Sequence, residues 1–174
     1  MSVLPIRLFP DEVLRVRCPE IETFDDALRR LVDDMVETMH AAPGVGLAAP
    51  QLGVEKRVMV VDLSVGEDPD QLHVFVNPRV VEEEGSVAEV EGCLSIPGIS
   101  EKVDRPERVR VEAQDLAGER FELEAEDWLA RAICHEADHL DGVLFVDRLR
   151  GLRREKVRRQ LRKLAAEHEE ALAS

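Results

Sequence analysis

Two histidines one helical turn apart are the residues of this chain best suited to chemistry. His135 and His139 stand in the segment HEADH at residues 135–139, and Glu136 directly follows the first histidine. Positions i and i+4 lie on one face of a helix, so both imidazoles can reach a single metal ion. Glu136 would lie beside that ion, where its carboxylate can accept a proton from a water molecule. The spacing therefore predicts a hydrolytic metal site.

A catalytic metal with two histidine ligands needs a third protein ligand, with a fourth position open for water. A metzincin would supply a third histidine downstream, but Phe145 stands at that offset. A thermolysin-like enzyme would supply a downstream glutamate, but Glu155 and Glu167 lie in a basic region without apolar surroundings. The upstream thiol of Cys93, which follows a glycine and precedes an expected turn at Pro97-Gly98, is the better candidate.

The other two cysteines are interpreted as structural. Cys18 precedes a proline near the start of the chain and is expected to be a small buried or partly exposed thiol. Cys134 adjoins His135, but one helical residue turns it about 100° from the ligand face, so it is expected to fill the core. Three cysteines without an export signal favour a reducing compartment over a disulfide frame.

Regular elements must hold these groups in place. Apolar residues at spacings of three and four predict a helix that starts near Thr23, with Thr23 and Asp26 as a capping box, and stops before residues 43–44. The same spacing predicts a second helix from Trp128 to Leu140. A charged helix is expected near residues 152–172.

Short apolar or alternating segments predict strands between these helices. Residues 58–63 and 74–76 are typical of buried strands, with Asn77-Pro78 closing the second. Residues 108–113 and 120–125 alternate as an antiparallel hairpin with one exposed face. The expected fold is α+β, with antiparallel β-sheets around a central metal-binding HExxH helix, an N-terminal helix and a C-terminal helix. Residues 1–174 are expected to form a single domain, with 151–173 as a basic helix.

Composition and charge limit the possible functions. The 174 residues are 44% hydrophobic, enough for one core, and their net charge of −14 argues against general binding to DNA or an anionic membrane. No apolar run marks an export signal or a membrane span, so a cytoplasmic protein is expected. Basic charge is concentrated between Arg148 and Lys163, where nine basic residues and only Glu155 as an acid give +8. The rest of the chain then carries −22.

Three segments together resemble the motifs of the peptide deformylase family. They are GVGLAAPQ at residues 44–51, EGCLS at 91–95 and HEADHLDG at 135–142, in the family's order. The resemblance covers almost the whole chain, from residues 10–14 to the C-terminal helix. It implies a catalytic domain that hydrolyses the formyl group from the N-terminal formylmethionine of newly synthesised polypeptides and releases formate.

The resemblance also implies a metal centre and a base. Cys93, His135 and His139 would hold one ion per chain, with Fe²⁺ as the expected metal and Zn²⁺, Ni²⁺ or Co²⁺ able to substitute. Glu136 would accept a proton from the attacking water and return it to the leaving amine. A purely structural metal site would have no need for Glu136, so the presence of this residue favours an enzyme.

Further roles follow from the same resemblance. The side-chain amide of Gln51 and the backbone N–H of Leu94 would stabilise the developing oxyanion. Gly44, Gly46 and Gly92 would let an extended peptide approach the backbone closely. Substrate binding is expected from Val45, Gly46, Gly92, Trp128, Arg131 and Ala132. Ser100 stands roughly where some relatives carry a basic residue near the substrate, and Cys134 where many carry glutamine.

Two other functions remain as alternatives. An HExxH metallopeptidase would require the absent downstream ligand and would have no use for Cys93. A non-catalytic metal-binding paralogue would need a fourth protein ligand and no Gln51. The partners expected from the sequence are N-formylmethionyl nascent peptides and, through the basic C-terminal helix, a transient contact with the ribosome. Neither DNA nor a membrane is expected as a partner, and the chain is expected to be a monomer.

Overall fold

The computed structural model describes residues 2–173 as two antiparallel sheets with helices packed against them. The α-helices of this part of the chain are α1 (Asp26–Ala41), α2 (Asp127–Leu140) and α3 (Gly151–Ala173). The strands are β1 (Gly46–Ala48), β2 (Val58–Val61), β3 (His73–Glu84), β4 (Val87–Cys93), β5 (Ile96–Arg105), β6 (Arg108–Gln114) and β7 (Arg120–Glu126). Short 3-10 helices lie at Glu12–Arg15, Ala49–Leu52, Pro69–Gln71 and Phe145–Arg148.

The larger sheet has the strand order β1-β2-β3-β6-β7, and β4 pairs with β5 in a separate two-stranded sheet. Successive side chains of a strand point to opposite faces, which explains why all four residues of β2 are buried. Val58 and Val60 pack in the cluster that includes α1, whereas Met59 and Val61 pack in the cluster that includes α2. Strands β1 and β2 of the larger sheet therefore lie between α1 on one face and α2 on the other.

A third apolar cluster joins the smaller sheet to the C-terminal part of the chain. Ile96 and Val103 of β5 pack with Phe145 and with Val157, the one residue of α3 that is fully buried. The first half of α3 is thus attached to β5, and its basic residues remain on the exposed side. No helix within residues 2–173 combines the length and apolar character that a lipid bilayer requires.

The structure corrects three of the predicted boundaries. The cap of α1 is Asp25, whose side chain accepts a hydrogen bond from the Leu28 N–H, and not Thr23. β3 does not end at Asn77-Pro78, because Asn77 adopts φ 52° at a bulge that lets the strand continue. The expected turn at Pro97-Gly98 lies inside β5, and the chain reverses instead at residues 94–95.

Candidate active site

Three metal-ligating side chains converge where α2 faces the end of β4. Cys93 is the last residue of β4, and His135 and His139 lie one turn apart on α2. Sγ of Cys93 is 3.3 Å from Nε2 of His139, and one ligand atom of each of the three residues lies within 4.8 Å of the others. One sulfur and two imidazole nitrogens are a donor set that suits zinc or iron. The predicted ligands therefore fit a metal ion.

Glu91 orients the first histidine. Its Oε2 lies 2.9 Å from Nδ1 of His135, which leaves Nε2 of that ring for a metal. Such a carboxylate on the far nitrogen fixes the ring orientation and makes the imidazole a stronger ligand. No role for Glu91 was predicted from the sequence. The available signal was its position two residues before Cys93, which places both side chains on the same face of a strand.

Glu91 in turn belongs to a buried network of charged groups. The Arg105 guanidinium donates to both Glu91 oxygens at 2.8 and 3.0 Å and to Oδ2 of Asp138 at 2.6 Å. Arg131 donates to Glu91 Oε1 at 2.9 Å. Burial alone would raise the pKa of Glu91, but hydrogen bonds from His135 and Arg105 lower it to about 2. The Glu91 carboxylate, which contacts Nδ1 of His135, therefore stays ionised.

Glu136 lies near the other ring nitrogen of His135, with Oε1 3.7 Å from Nε2. Its side chain is buried, and Oε2 has no hydrogen-bond partner among the described residues. Burial raises the pKa of this carboxyl to about 7, which suits a group that must both accept and donate a proton at neutral pH. A Cβ atom on Gly46 would come within 2.8 Å of Cγ of Glu136, so only glycine lets β1 approach this side chain so closely.

Gln51 points its amide donor toward the cysteine. Its Oε1 accepts from the Ala48 N–H at 3.0 Å, which fixes the orientation of the amide. Nε2 then lies 3.7 Å from Cys93 Sγ and 3.1 Å from Ser95 Oγ. Leu94 follows Cys93 in the turn between β4 and β5. A neutral donor therefore lies next to the sulfur of the ligand cluster.

These groups open into a cleft of about 920 Å³. Every substrate-binding residue expected from the sequence lines it, namely Val45, Gly46, Gly92, Trp128, Arg131 and Ala132. Trp128 is 55% exposed at the rim, with the Arg131 guanidinium 5.8 Å from its ring centre. The guanidinium of Arg131 is already committed to Glu91 and to the backbone oxygens of Val87 and Val103. Only the rest of the Arg131 side chain is available to a ligand.

The other two cysteines lie in the core, as their sequence positions predicted. Cys18 and Cys134 are buried in the core, where burial raises the pKa of their thiols to about 11 and about 12. Phe145, at the offset of a metzincin ligand, stacks on the His135 ring with 6.2 Å between the ring centres. The downstream segment thus supports the histidine by packing, and the ligand group found among residues 2–173 includes none of its side chains.

Comparison with known proteins agrees with this geometry. The sequence model of the polypeptide deformylase family matches residues 3–155. The peptide deformylase of Acidobacterium capsulatum is 51% identical over 94% of this chain and 96% of its own length, and that of Azotobacter vinelandii is 52% identical over 97% and 99%. The crystal structure of a peptide deformylase from Legionella pneumophila superimposes with a TM-score of 0.87 at 43% identity, covering 97% of this chain and 98% of that one. The chain belongs to the polypeptide deformylase family.

Proposed function

We propose that this chain removes the N-formyl group from newly synthesised polypeptides by metal-dependent hydrolysis in the cleft just described. The reaction consumes one water molecule, breaks the bond between the formyl carbon and the nitrogen of the first methionine, and releases formate and a free amine. The observation that carries the proposal is the convergence of Cys93, His135 and His139 beside a buried glutamate and a neutral amide donor.

Cys93 Sγ and the Nε2 atoms of His135 and His139 are the proposed ligands of one metal ion per chain. We propose Fe²⁺ as the native metal, with Zn²⁺, Ni²⁺ and Co²⁺ as substitutes, since all four accept a mixed sulfur and imidazole set. When bound, the ion supplies a Lewis acid that makes water more acidic and polarises the formyl oxygen. Burial lowers the pKa of His139 and so favours its neutral, ligating form.

Glu136 is the proposed proton carrier of the reaction. Its carboxylate takes a proton from water as the oxygen attacks the formyl carbon, and later gives that proton to the leaving nitrogen. Negative charge that develops on the formyl oxygen is met by Nε2–H of Gln51 and by the backbone N–H of Leu94. Both donors are uncharged, so neither requires a counter-ion inside the cleft.

The cleft walls provide the proposed binding surface for the peptide. Gly46 and Gly92 flank the cleft from β1 and β4, where the absence of side chains allows an extended peptide to lie against the backbone. Val45, Trp128 and Ala132, with the aliphatic part of Arg131, form the apolar surface proposed for the methionine side chain.

Formate release tests the proposal directly. Protein purified without oxygen should release formate from formyl-Met-Ala-Ser, lose that activity on treatment with a chelator, and regain it with Fe²⁺. Acetyl-Met-Ala-Ser should remain intact, and so should an unformylated protein substrate such as casein. Cleavage of casein would favour the metallopeptidase alternative. Bound metal without formate release would favour the non-catalytic one. Elemental analysis of the active sample would identify the native ion.

We further propose that residues 1–174 act as a monomeric cytoplasmic domain whose α3 contacts ribosomal RNA. The support is the exposed positive charge of this helix and a substrate that is produced at the ribosome. Deleting α3 would be a poor test, because Val157 packs in the core cluster of the smaller sheet. Charge substitutions leave that packing intact.

The variant Arg158→Gln/Arg159→Gln is therefore expected to weaken cosedimentation with ribosomes at low salt, by roughly tenfold for two lost phosphate contacts. The matched control is Arg29→Gln/Arg30→Gln, which removes a neighbouring pair of exposed arginines from α1. Formate release by both variants should equal that of the unaltered protein. Equal cosedimentation of the two variants would contradict a specific role for α3.

A further inference from the structure

A buried carboxylate organises the loop that follows β2. Asp62 is 1% exposed, and its Oδ1 accepts hydrogen bonds from the Ser64 N–H at 2.9 Å and the Ser64 hydroxyl at 2.6 Å. Its Oδ2 accepts from the Gly66 N–H at 2.9 Å. One side chain thus accepts several hydrogen bonds from residues 63–66, the Leu63 loop. The conformation of the loop therefore depends on Asp62.

His40 holds this carboxylate from α1. Its Nε2 lies 2.8 Å from Oδ2 of Asp62, and its ring packs so closely on the loop that a Cβ atom on Gly66 would lie 3.3 Å from Nδ1. Burial would raise the pKa of Asp62, but the hydrogen bonds from Ser64, His40 and Gly66 lower it. The ionised carboxylate of Asp62 thus links His40 on α1 to the Leu63 loop.

The Leu63 loop adopts a conformation that it would not keep unaided. Val65 has φ 53°, a left-handed conformation that is unfavourable for a β-branched residue. Such conformations persist only where surrounding contacts impose them, and they occur preferentially at functional sites. The side-chain contacts of Asp62 and His40 help to impose it, together with the hydrogen bond from the Val65 N–H to the Asp62 carbonyl oxygen and those between Ser64 and Asp68.

The loop faces the cleft proposed to bind the peptide. Leu63 lines that cleft and is 36% exposed. The Asp62 N–H donates to the carbonyl oxygen of Val45 at 2.8 Å, so the loop is attached to another apolar lining residue, itself 44% exposed. Leu63 and Val45 thus both contribute apolar surface to the cleft, and neither supplies a group to the reaction.

We propose that Asp62 and His40 are a positioning pair that fixes the Leu63 loop as a wall of the cleft, against which apolar side chains following the formylated methionine pack. The inference rests on the proposed function and adds a preference to it. Among formylated peptides, those with large apolar second and third residues are bound best. The pair acts through Leu63 and does not contact the reacting atoms.

The test compares kcat/KM for formyl-Met-Leu-Leu with kcat/KM for formyl-Met-Gly-Gly. The unaltered protein is expected to prefer the leucine peptide, and Leu63→Ala is expected to reduce this preference roughly fivefold, mainly through KM, because an apolar contact is lost. His40→Phe should reduce the preference to a similar extent. His168→Phe, a matched change on α3, should leave it unaltered.

The double variant Leu63→Ala/His40→Phe separates positioning from a general structural role. If His40 acts through Leu63, adding His40→Phe to Leu63→Ala reduces the preference no further. Independent, additive losses would overturn the proposal, and so would a preference that neither single variant changes. Circular dichroism and thermal unfolding confirm that each variant is folded, and the exposed Leu63→Ala change tests the wall even if His40→Phe is unstable.

The outcome for the unaltered protein distinguishes the two proposals. Failure to release formate from either peptide would overturn the proposed function and this inference with it. Release from both peptides at equal kcat/KM would leave the function intact and overturn the apolar wall alone.

Discussion

Replacing Glu136 with glutamine is expected to lower kcat for formate release by roughly 10³-fold while the protein keeps its metal. Glutamine has the size and shape of glutamate but cannot accept and return a proton near neutral pH. The Glu136 side chain is not among the three groups placed to bind the ion, so metal content by elemental analysis should not change. Alanine at this position should have the same effect on kcat.

The exposed Glu89 on β4 provides the matched control. Glu89→Gln makes the same chemical change outside the cleft and should retain full activity. Substantial turnover by Glu136→Gln would show that another group carries the proton. Loss of metal from that variant would show instead that the carboxylate contributes to the ligand set.

The second large effect is expected on stability. Arg105 is 3% exposed along its side chain and forms ion pairs with Glu91 and Asp138, both of which are buried. Arg105→Met would leave two carboxylates without this partner in the interior, at a cost of about 3–5 kcal/mol. For a chain of this size, that corresponds to a fall in Tm of roughly 10 °C. Metal affinity should also fall, by roughly tenfold or more, because Glu91 orients His135.

Arg108→Met is the control for this prediction. Arg108 pairs with Glu124 on the outer surface of the larger sheet, where both side chains are about half exposed. An exposed pair contributes about 1 kcal/mol at most, so Tm should fall by only a few degrees. Equal losses of Tm in the two variants would contradict a special role for the buried network. An unchanged metal affinity in Arg105→Met would separate the network from the site.

The elements with a strong sequence period were predictable. Apolar residues three and four apart located α1 and α2, because each helix buries one face against the larger sheet. Alternation located the hairpin of β6 and β7, which has one exposed face. The HEADH segment and the resemblance of three motifs together identified the residues that converge in the cleft.

The hairpin of β4 and β5 was missed for a physical reason. β4 is exposed along most of its length, so its sequence lacks the buried alternation that indicates a strand. Pro97 and Gly98 suggested a turn, but a two-stranded sheet has free edges where proline is tolerated. The buried ion pairs were equally hidden. Glu91 and Arg131 lie 40 residues apart in sequence. A charged residue considered only with its neighbours in sequence is expected at the surface, so the pairing of these two residues could not be predicted.

The location of Cys93 on the smaller sheet has a consequence for oxidative damage. The two imidazoles come from α2, which packs on the larger sheet, whereas the sulfur comes from the hairpin 46 residues before His139. An ion held by these groups would add a further link between the hairpin and α2, beside the ion pairs Arg105–Asp138 and Arg131–Glu91. Oxidation of this one sulfur to a sulfinic acid would therefore do more than inactivate the enzyme. It would also remove this link between the hairpin and α2, so that damaged molecules, held only by the remaining contacts such as the Arg105–Asp138 pair, should be digested faster by proteases than intact ones.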